Sequence, residues 1–227
     1  SGGGAGGSGG GAGGGYISGA GNGVSTIPGF IETDAEEEAV ITPEDTTSLF
    51  SDMPSSHWAY ENVKKLKELG IIDGVGDNKF NPSGVVTREQ FLKMLVEAVD
   101  ADVKMNTTSF SDVDASAWYA PYVSTGVELG LINGITDDTF GVGAEIKRQD
   151  MAVLIVRILN NKGVVVTQTS ETFDDENEIS DYAKDAVYKV RDAGIINGYA
   201  DNTFAPEASL TRAEAATVII KLLDTLQ

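Results

Sequence analysis

Three arginines, Arg88, Arg148 and Arg212, occupy the same place in three related strings. The strings are Val86-Thr87-Arg88-Glu89-Gln90, Ile146-Lys147-Arg148-Gln149-Asp150 and Leu210-Thr211-Arg212-Ala213-Glu214, each leading into an apolar run with helical spacing. A cation is mildly unfavourable beside the positive end of a helix. An arginine at that spot in every copy therefore needs an anionic partner, either a carboxylate of the protein or a ligand. The intervals between the arginines are 60 and 64 residues, which marks an internal repeat.

Other polar and aromatic residues recur at the same period. Phe50-Ser51-Asp52, Phe110-Ser111-Asp112 and Phe173-Asp174-Asp175 open the copies, and Trp58, Trp118 and Tyr182 follow near the start of a first helical pattern. That pattern carries an apolar stripe, Ala59, Val63, Leu66 and Leu69 in copy one. It ends at Gly70, Gly130 and Gly194, where a left-handed residue is expected to terminate a helix. Asp/Asn-rich turns ending in Phe80, Phe140 and Phe204 then lead, as extended loops or weak hairpins, to the arginine motif. Thr87 with Gln90, and Thr211 with Glu214, have capping-box spacing at the start of the second helix. Each unit thus has two helices, each with one apolar face that the unit alone cannot cover. Three units packed around a common axis can cover them, so a mainly α fold of three pseudo-equivalent lobes is expected.

Residues 1–49 have a different composition. Ser1–Gly15 contains only Gly, Ser and Ala, an acidic run follows, and the first Lys or Arg is Lys64. Such a stretch has little to bury and reads as a flexible linker. The expected division is a linker over 1–49 and one domain over 50–227, with repeats at 50–109, 110–172 and 173–227.

Composition narrows the function. A net charge of −19 argues against nucleic acid and against electrostatic attachment to an anionic membrane. No run approaches the length of a membrane span, and no signal peptide is visible, so the chain reads as cytoplasmic or as part of a longer secreted protein. With no cysteine and one histidine, His57, no disulfide, thiolate site or zinc site is expected. Ser55 and Ser56 beside His57 make no triad, and no glycosidase pair of carboxylates stands out. No catalytic residue, cofactor or metal ligand is assigned, because the acidic turns lack the alternating ligand spacing of a calcium loop.

The order and spacing of F-x-D, W/Y, L-G-(I/L)-I-x-G, D-(N/D)-x-F and (L/V)-T-R-x-(E/Q), in triplicate over 50–227, resemble the S-layer homology domain. The resemblance implies a pseudo-threefold prism around a central three-helix bundle. It implies grooves between lobes that bind an anionic secondary cell-wall polysaccharide, often ending in pyruvylated N-acetylmannosamine. It further implies a non-catalytic module, fused to other modules, that holds a surface protein on the bacterial wall or S-layer. Carried onto this chain, Arg88, Arg148 and Arg212 would fork onto the pyruvyl carboxylate, helped by free N–H groups at the helix start. Asp52, Asp112 and Asp175 would accept sugar hydroxyls or orient the arginine, with a capping or turn carboxylate as the alternative. Trp58, Trp118 and Tyr182 would stack on a sugar face, with core packing as the alternative. Gly70, Gly130 and Gly194 would let backbone approach the ligand.

Copy two departs from the pattern. Lys147 and Asp150 replace the capping pair, and Gly141-Val142 replaces the Asn81-Pro82 and Ala205-Pro206 of the other copies. Its groove is expected to differ, with Lys147 a possible second cation. Two other readings stand beside the glycan one: a protein-interaction or self-assembly module of a surface layer, and a calcium-dependent scaffold.

Overall fold

The computed structural model describes residues 48–104, 108–169 and 171–227; the linker expected over 1–49 lies outside them apart from its last two residues. Each repeat contributes a short first helix and a longer second one. In chain order these are α1 (Tyr60–Glu68), α2 (Arg88–Ala98), α3 (Ala120–Glu128), α4 (Arg148–Asn161), α5 (Lys184–Asp192) and α6 (Arg212–Thr225). Among the described residues one 3₁₀ turn, Glu176–Glu178, is present, just before α5.

The first helices stop for one backbone reason. Gly70, Gly130 and Gly194 adopt φ of +74°, +67° and +70°, a region open to glycine at no steric cost. The glycine N–H and the next residue's N–H then turn back onto the last carbonyls, as in Gly70 N to Lys67 O at 3.0 Å and Ile71 N to Leu66 O at 2.9 Å. This closes orphan groups of the helix end. A side chain at any of these three glycines would meet nothing within 4 Å, so the positive φ is what requires glycine there.

The repeats close into a ring at the strings that precede the second helices. Isolated antiparallel bridges pair Thr87 with Glu145, Lys147 with Ser209, and Val85 with Thr211. Repeat one therefore pairs with two, two with three, and three with one. Val86, Ile146 and Leu210 sit at the centre and are completely or almost completely buried. Val86 N–H donates to Leu210 O at 3.1 Å and Ile146 N–H to Val86 O at 3.0 Å. Beyond such single bridges the described residues contain no strand, so the connections between helices are ordered loops.

The central helices α2, α4 and α6 bury most of their surface, including Phe91, Leu95, Met151, Ile155, Ile219 and Leu222. The peripheral helices dress them across repeat boundaries: α3 packs on α2, α5 on α4 and α1 on α6. A first helix thus covers the second helix of the preceding repeat, and the last repeat is completed by the first. Under each inter-helix loop a pair of rings fills the lobe: Phe50–Phe80 at 5.4 Å, Phe110–Phe140 at 6.1 Å and Phe173–Phe204 at 5.4 Å between centroids. The first ring of each pair presses on backbone. A Cβ added at Gly74, Gly134 or Gly198 would lie 2.8, 2.6 or 2.5 Å from Phe50, Phe110 or Phe173.

Because Ile146 lies at the meeting point of all three repeats, Ile146→Ala is expected to cost about 2–5 kcal/mol and to lower the stability of the whole domain in one transition. Guanidinium denaturation followed by both fluorescence and circular dichroism checks this. Separate unfolding of individual repeats would contradict the closed ring.

Candidate functional site

The three arginines make one shared contact before they diverge. Arg88 Nε donates to Phe140 O at 3.1 Å, Arg148 Nε to Phe204 O at 2.8 Å and Arg212 Nε to Phe80 O at 2.8 Å. Each arginine therefore reaches into the next repeat around the ring, and each guanidinium lies over the ring of that phenylalanine at 5.3, 4.9 and 4.7 Å respectively. Arg148 and Arg212 add a second carbonyl, Asn197 O at 2.9 Å and Asp73 O at 2.8 Å. Arg88 instead donates to Asp150 Oδ2 at 3.3 Å. Burial lowers the pKa of all three, and at Arg88 the neighbouring Asp150 carboxylate opposes that effect. Among the described residues, Arg148 and Arg212 have no carboxylate within ion-pair distance.

The first N–H of each second helix is not free, contrary to the expectation of free N–H groups. Arg88 N–H donates to Ala144 O, Arg148 N–H to Ala208 O, and Arg212 N–H to Gly84 O. Gln149 and Ala213 N–H donate to Pro206 O and Pro82 O. The loop of the adjoining repeat supplies the acceptors. At α6 the capping box is complete: Thr211 N–H donates to Glu214 Oε2 at 2.8 Å and Glu214 N–H to Thr211 Oγ1 at 3.3 Å. At α2 only Thr87 N–H to Gln90 Oε1, at 3.3 Å, forms, and the Thr87 hydroxyl is buried without a partner.

The F-x-D aspartates serve the turn. Asp52 accepts from Phe80 N and Asn81 N, both at 2.8 Å. Asp112 accepts from Phe140, Gly141 and Val142 N at 2.7, 2.7 and 2.9 Å, and Asp175 from Phe204 N at 2.9 Å and Ala205 N at 2.7 Å. Both oxygens of each aspartate are occupied. The residue after each phenylalanine is left-handed, with φ of 57° at Asn81, 90° at Gly141 and 54° at Ala205. Gly141 is thus a conformational equivalent of Asn81, and the carboxylate clamp holds Ala205 in a region alanine rarely visits.

Trp58, Trp118 and Tyr182 are 63%, 52% and 63% exposed, so they are not core residues. Trp118 lines a cleft of about 410 Å³ together with Asp73, Val75, Gln90, Lys93 and Arg212. Repeat three gives the guanidinium, repeat one the loop and the wall of α2, and repeat two the indole. The structure therefore brings together an arginine and an aromatic that sequence spacing assigned to different copies. Lys93, in the same cleft, stands 4.0 Å from Asp73 and 3.8 Å from Glu97. Sequence reasoning missed Lys93, Val75 and the carbonyl of Asp73; the available signal was a lone lysine where the other copies have Val153 and Thr217. Gly70, Gly130 and Gly194 act as helix stops. Lys147 is spent on an ion pair with Glu207. Among the described residues no three His, Asp or Glu side chains converge as metal ligands, and no helix is long and apolar enough to cross a membrane.

The geometry defines a class: a pseudo-threefold, six-helix repeat domain with a cleft at Arg212 shared between its repeats. The family model of the S-layer homology domain matches residues 49–92, 109–152 and 172–216, and the chain belongs to that family. Similar proteins include an amylopullulanase of Thermoanaerobacterium thermosulfurigenes, 31% identical over 77% of this chain and 9% of its own length. The exoglucanase XynX of Acetivibrio thermocellus is 32% identical over 77% of this chain and 16% of its own. The S-layer protein sap of Bacillus anthracis is 29% identical over 76% and 21%. The chain spans between about a tenth and a fifth of the length of these relatives.

In Asp52 and Asp112 burial works against ionisation, but the backbone N–H bonds outweigh it and hold both pKa values below the ordinary carboxylate value. A depressed folded-state pKa contributes stability that is present above the unfolded value of ~3.9 and is lost as pH falls through the lower folded value. The Asp52→Asn/Asp112→Asn double variant is expected to be less stable at pH 7 and to lose less stability between pH 5 and pH 2. Urea midpoints across that range test it.

Proposed function

We propose that this domain is a non-catalytic anchoring module that holds a surface protein on the bacterial cell wall by binding an anionic, pyruvylated secondary cell-wall polysaccharide in clefts between repeats. The observation that carries this reading is the Arg212 cleft. There a guanidinium without a carboxylate partner, an exposed indole and the loop around Asp73, from three different repeats, face one space large enough for a sugar. The Nε and one terminal nitrogen are fixed on carbonyls, which leaves the rest of the fork aimed but unneutralised. Such a donor suits a carboxylate more than a neutral hydroxyl.

The spread of relatives supports a role independent of catalysis. Amylopullulanase, exoglucanase and S-layer proteins differ in name but match this chain over the same kind of small region. A shared means of attachment accounts for that better than a shared reaction. In this reading residues 1–49 act as a spacer to other modules, and 50–227 form the anchor.

Co-sedimentation with purified wall polysaccharide, native and with its pyruvyl groups removed, is the test. Native glycan is expected to carry the protein down and depyruvylated glycan to lose it. Arg212→Ala is expected to weaken binding about ten- to a hundredfold, the equivalent of ~1.5–3 kcal/mol for hydrogen bonds to a charged group. Equal binding of both glycans overturns the arginine–pyruvate pairing. Self-association without glycan, seen by sedimentation velocity, would favour an assembly module instead.

A further inference from the structure

The three arginine sites share a scaffold and differ at two positions that decide whether the cation is available. One position lies two residues after the arginine and holds Gln90, Asp150 or Glu214. The other follows the loop glycine and holds Val75, Ile135 or Tyr199.

In the cleft of Arg88 the first position is Asp150. Its Oδ2 pairs with Arg88 at 3.3 Å while its Oδ1 accepts the Tyr182 hydroxyl at 2.6 Å. The pair is largely shielded, with side-chain exposures of 11% and 23%. Tyr182 corresponds to the Trp118 that lines the Arg212 cleft. Asp150 thus sits between the guanidinium and the aromatic, where a ligand carboxylate would have to sit. An incoming anion must displace it against like-charge repulsion, leaving a partly buried carboxylate without its partner.

Beside Arg148 the first position is Glu214, whose carboxylate is engaged by Thr211 in the capping box, and the second position is Tyr199. Its ring lies 4.9 Å from the guanidinium centre, and Phe204 lies at the same distance. Arg148 is only 6% exposed. The cation is unpaired but covered. In the cleft of Arg212 the same two positions are Gln90, which is neutral, and Val75, which is short, and both line the open space.

We propose that Asp150 is a built-in anion that fills the Arg88 cleft, that Tyr199 covers Arg148, and that the Arg212 cleft is the domain's one high-affinity anion site. Asp150 and Gln90 are then the residues that decide which cleft accepts a ligand carboxylate. The proposal rests on the reading of the clefts as sites for an acidic glycan.

Calorimetry with a pyruvylated N-acetylmannosamine methyl glycoside tests it, using the intact chain and two reciprocal variants that leave every arginine in place. Wild type is expected to bind one glycoside. Gln90→Asp is expected to weaken that binding by about tenfold or more, and Asp150→Gln to add a second site. Binding of two or three glycosides by wild type with a preference for the pyruvylated form would leave the glycan reading intact and overturn the ranking. Unchanged affinity of Gln90→Asp, or a stoichiometry of one in Asp150→Gln, would also overturn it. The pyruvate-free glycoside is run in parallel. Equal binding of the two glycosides, or binding of neither, would overturn the acidic-glycan reading and the ranking with it.

Discussion

One contact, made three times, ties this domain into a closed object: the Nε of a helix-opening arginine donating to the carbonyl of a phenylalanine in the next repeat. The carbonyl belongs to the residue whose own N–H is held by the F-x-D aspartate. Aspartate, phenylalanine turn and arginine therefore form a chain that crosses a repeat boundary and then recurs. Because the third arginine returns to the first repeat, no lobe is terminal, and the apolar faces that a single repeat would expose are covered all round.

That closure also shapes the clefts. A guanidinium has more donors than the tie requires, so fixing Nε orients the remaining fork without using it up. What occupies the fork is left to residues outside the tie: a carbonyl for Arg148 and Arg212, and a carboxylate for Arg88. In the proposed reading, structure and recognition share one side chain. The structural half repeats in every copy, while the other half varies. An arginine beside a helix start, disfavoured by the helix dipole alone, is accounted for by these carbonyls, and the helix N–H groups are likewise satisfied by the neighbouring loop.

The elements with a local cause were legible in the chain. Glycines 70, 130 and 194 marked helix ends because a left-handed residue is a backbone requirement of the residue itself. Thr211 and Glu214 marked a helix start because a capping box spans only four residues. The apolar stripes gave most of the buried faces for the same reason, although Leu69, counted in the first stripe, is 56% exposed at the C-cap of α1. Where a partner came from elsewhere, the reading was incomplete. The F-x-D aspartates were divided between a ligand and a turn, because their partners lie about 30 residues downstream. Trp58 and Trp118 were divided between core and surface, and only packing across repeats leaves them exposed.

The sequence by itself determined that there are three two-helix units, where the first helices end, where α2 and α6 begin, and most of the face that each helix buries. These follow from backbone preference and periodicity, which act over a few residues. The tertiary structure decided the rest: that α1 completes the lobe of α6, that Arg212 and Trp118 share a cleft, and that Asp150 and Tyr199 close on Arg88 and Arg148. The physical reason is the ring. It joins residues more than a hundred positions apart, such as Arg212 and Phe80, and no local rule specifies which copy supplies the partner. The three arginines are alike in the chain and unlike in the fold, because each meets a different neighbour.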